Sequence, residues 1–280
     1  MKVGLITCEK LPKLTRSDQL LIPKFLREGI HAEPVVWSDK AVDWKRYDHV
    51  IIRSCWDYHE RAEAFIKWLI EMKALGISMM NPVDVILANH DKIYLRQLEQ
   101  KGISIVPTIW LEKVQRDYIC KKLEERGWKK AVLKPVISAS AFHTYLLNGY
   151  EDIPALPKVD HLQFMLQEFQ NEIEQEGEWS IIFFNKEFSH AVLKKPGTGD
   201  FRVQREFGGS YQLKYPGNTI VDQAGKILDH YSQPILYARI DGIIRNNEFI
   251  LMEIELIEPE LFLSDVSLQK RFVKSFVGML

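Results

Sequence analysis

The chain has 280 residues, 46% of them apolar, so it can build one large domain or about two or three small ones. It carries 37 lysine and arginine residues against 38 aspartate and glutamate residues, a balance that excludes an overall field attracting nucleic acid or an anionic membrane. No apolar run approaches the roughly 18 residues of a membrane span, and the start "MKVGLITCEK" is typical of a strand rather than a signal peptide. The 3 cysteines have no CxxC spacing, which fits a reducing compartment. We therefore expect a cytoplasmic protein whose partners bind at a local site, with a homodimer left open.

Strand and helix patterns alternate through residues 1–83, which we predict to be an N-terminal α/β domain on the substrate side. The β-branched runs "KVGLITC" and "HVIIRS" and the short run "ISMMNP" predict strands. The segments "SDQLLIPKFLREG" and "HERAEAFIKWLIEMKALG" have helical periodicity and end at Gly29 and Gly76. This alternation predicts a parallel sheet with helical crossovers. The chain has neither GxGxxG nor GxxxxGK[ST], which excludes those two nucleotide-binding motifs.

The pattern changes after Pro82. Residues 84–165 are predicted to form a second unit, with a helix over "DVILANHDKIYLRQLEQKG", a polar helix ending at Gly127 and the strand "AVLKP". From residue 162 onward strands dominate, with one helix around residues 219–232, and residues 166–280 are predicted to form the third unit. The predicted strands are "QFMLQEF", "EWSIIFF", "EFSHAVLKKP", "YQLKYP", "YARIDGII" and "EFILMEIEL". The fold class is therefore α/β followed by α+β, with an antiparallel sheet in the last unit.

The last predicted strand carries two carboxylates on one face. Side chains alternate along a strand, so Glu253 and Glu255 point the same way while Ile254 points to the opposite side. At a separation of about 7 Å and an effective dielectric of about 20, the two charges repel each other by roughly 2 kcal/mol. Such a pair needs a compensating partner.

The loop of the last hairpin decides whether a third carboxylate joins them. A two-residue Asn-Asn turn pairs Asp241 with Met252, whereas an odd loop or a bulge pairs Asp241 with Glu253 and Arg239 with Glu255. In the second register three carboxylates share one face, a composition that suits magnesium or manganese. A solvated strand face with Arg239 as a cross-strand ion pair is the alternative.

Magnesium sites are usually completed by substrate phosphates, which predicts cationic side chains elsewhere. Lys134 ends the strand "AVLKP" before the small-residue loop "VISASA", Lys92 lies early in a predicted helix, and Lys194 ends "HAVLK". Solvated surface lysines are the alternative for each.

These motifs, in this order, resemble the ATP-grasp superfamily. They are "DK" at Asp91 and Lys92, "LKP" at Lys134, "QEF" at 167–169, "GEWS" at 177–180, "GDFRV" at 199–203, "FGGS" at 207–210, then Asp241 and "EIE". The resemblance covers roughly residues 80–262 and is strongest to the RimK and glutathione-synthetase branch and to the O-ureidoserine cyclo-ligase group. It implies an ATP-grasp fold with an N-terminal parallel-sheet domain and two further subdomains.

The resemblance also implies roles for individual residues. Lys92 and Lys134 would bind the ATP phosphates, Gln167, Glu168 and Phe169 would form the adenine hinge, Glu178 would contact the ribose, and Asp241, Glu253 and Glu255 would hold magnesium. Arg202, Lys194 and Arg239 would be catalytic, with Arg202 acting on the transferred phosphoryl group.

Three positions depart from the family pattern. Glu255 replaces the usual asparagine, the loop after Lys134 lacks glycine, and Pro259 comes one residue late. Ser138 and Ser140 in that loop would offer hydroxyl contacts to the phosphates.

Substrate-binding residues are expected in the N-terminal unit, where "IIRSCWDYHE" follows a strand. Arg53 beside Trp56 and Tyr58 could bind a carboxylate and flank an amino acid, while a helix-initiating turn capped by Asp57 is the alternative.

Taken together, these residues predict an ATP- and magnesium-dependent ligase. It would activate a carboxyl-like group of a small amino-acid-derived substrate as an acyl-phosphate for attack by an amine or a similar nucleophile, including an internal one as in a cyclo-ligase. A non-catalytic ATP-binding regulatory module and a metal-dependent phosphohydrolase are the alternatives.

Overall fold

The computed structural model describes residues 1–137, 143–149, 153, 163–200, 202–204 and 207–280, whose strands form three sheets. The first sheet contains β1 (Lys2–Thr7), β2 (His31–Val36), β3 (His49–Ser54) and β4 (Met79–Met80). Its strands are parallel in the order β2-β1-β3-β4, so the predicted parallel sheet is confirmed. Strand β2, which the sequence patterns do not predict, contains Pro34 and lies at the sheet edge, where a missing backbone N–H is tolerated.

This unit has three helices, two of which are followed by a glycine in a left-handed turn. They are α1 (Arg16–Gln19), α2 (Ile22–Arg27) and α3 (Ala62–Ala74), with 3-10 turns at Trp44–Arg46 and Tyr58–Arg61. The segment predicted as one helix is divided into α1 and α2, because Pro23 lies in the first turn of α2, where no N–H partner is needed. Gly29 and Gly76 follow α2 and α3 with φ of +72° and +70°.

The second sheet is antiparallel, in the order β5-β8-β6-β7. It contains β5 (Thr108–Leu111), β6 (Ala131–Pro135), β7 (Tyr145–Leu147) and β8 (Phe164–Glu168), and its helices are α4 (Val83–Asn89), α5 (Tyr94–Gln100) and α6 (Arg116–Arg126). Strand β8 crosses the predicted boundary between residues 165 and 166.

The long helix predicted up to Gly102 is interrupted between α4 and α5. The Asp91 carboxylate accepts a hydrogen bond from the backbone N–H of Ile93 at 2.8 Å, and the Lys92 N–H donates to the Val136 carbonyl at 3.0 Å. These bonds replace helical ones, so Lys92 lies in a turn beside β6 rather than inside a helix.

The third sheet is also antiparallel, in the order β11-β10-β9-β12-β13. Its strands are β9 (Glu178–Phe184), β10 (Glu187–Lys195), β11 (Ser210–Leu213), β12 (Tyr237–Arg245) and β13 (Glu248–Glu255), and its helices are α7 (Glu172–Gln175), α8 (Asn218–Leu228) and α9 (Val266–Val277). The predicted strands and the helix near residue 219 are confirmed.

A bulge sets the register of the β12–β13 hairpin. The turn has only two residues, Asn246 and Asn247, both with positive φ, but the register shifts between Asp241 and Gly242. Asp241 therefore pairs with Glu253, as the bulged alternative predicts. A Cβ at residue 242 would lie 2.4 Å from the Ile250 carbonyl oxygen, so only glycine fits this bulge.

The second unit covers the outer edge of β13. Asn89 bonds to the Ile254 carbonyl and the Leu256 N–H, both at 2.9 Å, and the Tyr94 hydroxyl bonds to both backbone groups of Ile254. These contacts satisfy an edge that would otherwise be exposed. No helix among the described residues has the length and apolar character needed to cross a bilayer.

Candidate active site

A cavity of about 890 Å³ lies where the three sheets meet, within the range of roughly 300–1,000 Å³ typical of small-molecule sites. Most of the site residues predicted from the sequence line it. They are Trp56, Tyr58, Lys92, Lys134, Gln167, Glu168, Phe169, Glu178, Lys194, Arg202, Arg239, Asp241, Glu253 and Glu255. Residues from all three units thus line one cavity, as expected if they form a single site.

Asp241 is the most enclosed carboxylate of this group, with 4% of its surface exposed. Its oxygens accept hydrogen bonds from Ser180 Oγ at 2.5 Å and Arg239 Nη2 at 2.8 Å, and Lys194 Nζ lies 3.4 Å away. Burial alone would raise its pKa, but the charges of Arg239 and Lys194 outweigh burial and lower the pKa to about 2. Asp241 is therefore a fixed anion at neutral pH.

Glu253 and Glu255 are paired with cations rather than with each other. Lys92, 5% exposed, forms an ion pair with Glu253 at 3.0 Å, and Arg239 bridges Asp241 and Glu255. Burial raises the pKa of Glu255 to about 7, although Arg239 opposes the rise.

The three acids share one face, as predicted, but they do not form a ready metal cluster. Among the described residues, no group of three or more His, Cys, Asp or Glu side chains could hold a metal ion as arranged. The physical reason is that Arg239 and Lys92 occupy the carboxylate oxygens, so the ion-pair alternative also holds in part. The carboxylate oxygens suit magnesium, which would have to replace Arg239 and Lys92 as their partners.

Lys134 projects into the cavity at the end of β6 and has no hydrogen-bond or ion-pair partner among the described residues. Burial lowers its pKa to about 8, and the repulsion of Lys92 adds to this while Glu253 opposes it. A partly buried ammonium without an ion-pair partner is suited to an anionic ligand.

Lys194 pairs with Glu178 at 2.5 Å as well as with Asp241. Burial raises the pKa of Glu178 despite this partner. The ribose contact predicted for Glu178 would have to share the carboxylate with Lys194, and it stays a prediction.

The predicted adenine hinge lines the cavity and stays a prediction, but the sheet uses two of its backbone N–H groups. Strand β8 lies between β5 and β6, and the N–H groups of Glu168 and Phe169 donate to the carbonyls of Pro107 and Lys130 at 3.0 and 3.1 Å. These two N–H groups are therefore occupied by the protein itself. The Gln167 side chain donates to Thr108 Oγ1 at 3.1 Å.

Arg53 does not line the cavity, which corrects its predicted role in substrate binding. It is 1% exposed, forms an ion pair with Asp18 at 3.0 Å and donates to the Pro259 carbonyl at 3.0 Å. Trp56 and Tyr58 do line the cavity, and the Trp56 ring N–H donates to the Glu258 carbonyl at 3.1 Å. The strand end after β3 thus presents its aromatic side chains to the site and turns its arginine inward.

Arg202 lines the cavity and already has a carboxylate partner. It forms an ion pair with Asp200 at 2.7 Å and lies over the Phe207 ring at 3.4 Å from the centroid. Its predicted action on the phosphoryl group therefore requires it to exchange or share Asp200. Ser138 and Ser140 lie outside the described residues.

Sequence reasoning missed three polar side chains at the site. Ser180 supports Asp241 from the neighbouring strand, while Glu258 and Glu260 line the cavity beyond β13. The motif "EIELIEPE" contains the signal for the last two, since it places further acids directly after the strand.

Comparison with known structures identifies the fold. The structure aligns with an ATP-grasp ligase, PsnB, complexed with a phosphomimetic variant of its minimal precursor, Mg and ADP (TM-score 0.68, 11% identity, 99% of this chain and 97% of that one). The chain therefore has the ATP-grasp fold, and the fold predicted from the sequence is confirmed.

The more specific likeness is to D-cycloserine synthetase. Residues 3–81 match the family model of the D-cycloserine synthetase DcsG N-terminal domain. The cycloserine biosynthesis protein DcsG of Streptomyces lavendulae is 26% identical, with 84% of each chain covered. The crystal structure of D-cycloserine synthetase DcsG aligns with a TM-score of 0.85 and 20% identity, covering 100% of this chain and 99% of that one.

Replacing Lys134 with alanine is expected to weaken ATP binding by about 1.5–3 kcal/mol, the range for a charge-assisted contact. Because the folded-state pKa of about 8 lies below the ordinary 10.5, the charged lysine is present below pH 8 and is lost above it. A bound phosphate favours the charged form, so wild-type affinity should fall as the pH rises through 8, and Lys134→Arg should remove that fall.

Calorimetric titration of ATP between pH 6.5 and about 9.5 measures both effects. Lys195→Ala is the matched control, because Lys195 is exposed at the end of β10. Unchanged affinity in Lys134→Ala would remove this lysine from the nucleotide site.

Proposed function

We propose that the protein is an ATP-dependent ligase that activates a carboxyl-like group of a small amino-acid-derived substrate as an acyl-phosphate. The observation that carries this proposal is the unpaired cation Lys134 in the same cavity as Asp241, Glu253 and Glu255, on an ATP-grasp fold. Cations that meet phosphates and acids that meet magnesium are the usual components of phosphoryl transfer.

ATP and magnesium are the proposed cofactors. PsnB, which has the same fold, was crystallised with Mg and ADP, and that finding supports the proposal. Asp241, Glu253 and Glu255 are the residues that would hold magnesium, and manganese suits the same oxygen donors. The ion would neutralise charge on the phosphates during transfer.

The cations of the chain have separate tasks in this proposal. Lys134 and Lys92 bind phosphate oxygens, and Lys92 must then exchange its contact with Glu253 for one to the nucleotide. Arg239 and Lys194 hold Asp241 ionised and in place, since both contact it. Arg202 lies over Phe207 at the cavity wall and would stabilise the transferred phosphoryl group.

The likeness to DcsG supports an intramolecular version of the reaction. That protein's name describes it as a synthetase of D-cycloserine, a cyclic compound, and the matched region includes the N-terminal unit that contributes Trp56 and Tyr58 to the cavity. In a cyclo-ligase the nucleophile belongs to the activated substrate itself.

Trapping with hydroxylamine tests the proposal. Mg-ATP, hydroxylamine and a panel of amino acids and O-substituted serines should give ADP together with a hydroxamate for at least one carboxylate substrate. A substrate activated at a ureido group would give ADP and a cyclic product without hydroxamate, and mass spectrometry detects that product. ADP formed without any substrate would instead indicate a phosphohydrolase, and tight ATP binding without ADP would indicate a regulatory module.

A further inference from the structure

Glu258 is a buried carboxylate that none of the roles proposed above uses. It lies in the segment after β13, has 9% of its surface exposed and lines the cavity. Among the described residues, none donates a hydrogen bond to its carboxylate or forms an ion pair with it. An unpaired carboxylate at this depth is unfavourable unless a ligand meets it.

The backbone around Glu258 is held from three directions. Trp56 donates to the Glu258 carbonyl at 3.1 Å, Arg53 donates to the Pro259 carbonyl at 3.0 Å, and the Tyr237 hydroxyl donates to the Ile257 carbonyl at 2.7 Å. These bonds fix the backbone that carries the cavity-lining Glu258, and preorganisation favours ligand binding.

The residues around Glu258 favour a cationic ligand. Trp56 and Tyr58 line the same cavity, where Trp56 bonds to the Glu258 backbone and Tyr58 interacts electrostatically with Glu258, and aromatic faces attract ammonium groups. The charged and titratable groups that act on Glu258 from the packed elements are Glu255, Glu253, Lys92, Arg239, Tyr58, Tyr237 and Cys55. The cations among them, Lys92 and Arg239, are already paired with other acids.

We propose that Glu258, with Trp56 and Tyr58, forms the subsite that binds a protonated amino group of the substrate. This inference rests on the proposed ligase function and specifies its substrate class as a compound carrying a free ammonium group. The sequence predicts instead that Arg53, at the same strand end, binds a carboxylate of the substrate. The charge of the bound substrate group is therefore the opposite of the one expected from the sequence. The reversal follows from the inward turn of Arg53 onto Asp18, which leaves Glu258 beside the two aromatic side chains.

Binding of the substrate's amino group to this subsite can be measured without catalytic turnover. With magnesium and a non-hydrolysable ATP analogue present, and again without nucleotide, both enantiomers of alanine and serine are titrated calorimetrically beside their N-acetyl derivatives. We expect at least one free amino acid to bind and its N-acetyl form to bind at least about 10-fold more weakly, since acetylation removes the charge. Glu258→Gln should weaken binding of the free amino acid by about 10-fold or more while leaving the N-acetyl form unchanged.

Proton release gives a readout that a merely structural role of Glu258 would not change. Burial raises the pKa of the Glu258 carboxyl well above its usual range, and Glu255 adds to the rise. An ammonium ligand lowers the pKa of the Glu258 carboxyl, so binding should be accompanied by proton release, seen as a binding enthalpy that depends on the buffer. In Glu258→Gln that dependence should disappear.

Glu260→Gln is the matched control. Glu260 lines the same cavity two residues away, but its carboxylate already accepts a hydrogen bond from the Phe262 N–H at 2.8 Å. Its replacement should change amino-acid affinity by less than about threefold.

The subsite is overturned if no free amino acid binds, if the N-acetyl forms bind equally well, or if Glu258→Gln and Glu260→Gln have equal effects. Failure of the ligase proposal looks different, because Mg-ATP with the amino-acid panel would then give no substrate-dependent ADP, while the nucleotide-free titrations still report on Glu258. A melting curve for each variant confirms that the fold is retained.

Discussion

Glu253→Gln is expected to abolish both ADP and product formation, with turnover reduced at least about 100-fold. Glutamine cannot offer a charged oxygen to magnesium, and it leaves Lys92, which is 5% exposed, without the partner that now lies 3.0 Å away. Steady-state ADP release at saturating ATP, measured over a range of magnesium concentrations, gives the size of the loss. Glu253→Asp keeps the charge and should recover part of the activity at high magnesium.

The control for this variant is Glu187→Gln, because Glu187 is an exposed acid on β10 of the same sheet. Its activity should equal that of wild type. If Glu253→Gln kept more than about a third of wild-type turnover, Glu253 would be a partner of Lys92 only, and the metal role would have to be withdrawn.

Arg53→Ala is expected to lower the free energy of unfolding by about 3–5 kcal/mol, the range for breaking a buried ion pair from one side. Asp18 is 3% exposed and would lose the guanidinium that lies 3.0 Å from its carboxylate. The Pro259 carbonyl would also lose its donor, which loosens the segment holding Glu258. Urea denaturation followed by tryptophan fluorescence measures the change.

Arg46→Ala is the matched comparison, since Arg46 pairs with Glu33 at 3.2 Å with its side chain 51% exposed. An exposed pair of this kind contributes less than about 1 kcal/mol. Equal losses in the two variants would contradict the buried ion pair. The double variant Arg53→Met with Asp18→Leu should recover stability relative to Arg53→Ala, because it leaves no unpaired buried charge.

The predictions that held depend on short-range patterns. Alternation of side chains along β12 and β13 places Asp241, Glu253 and Glu255 on one face once a bulge is allowed, and that bulge is what the structure contains. Gly29 and Gly76 end their helical segments because only glycine adopts the left-handed turn without strain. The strand ending in Lys134 directs that lysine into the cavity.

The predictions that failed concern the partners of charged groups. Arg53 was expected in the substrate site, yet it contacts Pro259, which lies 206 residues away in the chain. Lys92 was expected within a helix, yet the helix is interrupted there and Lys92 pairs with Glu253. No local pattern contains these pairings.

What the sequence by itself determined is therefore the alternation of strands and helices, the face on which each acid lies and the order of the ATP-grasp motifs. Only the tertiary structure decided which cation neutralises which acid, which arginine turns inward and that Glu258 is left unpaired beside Trp56. The physical reason is that backbone geometry repeats every two to four residues, whereas a buried charge is stabilised by whichever distant segment packs against it.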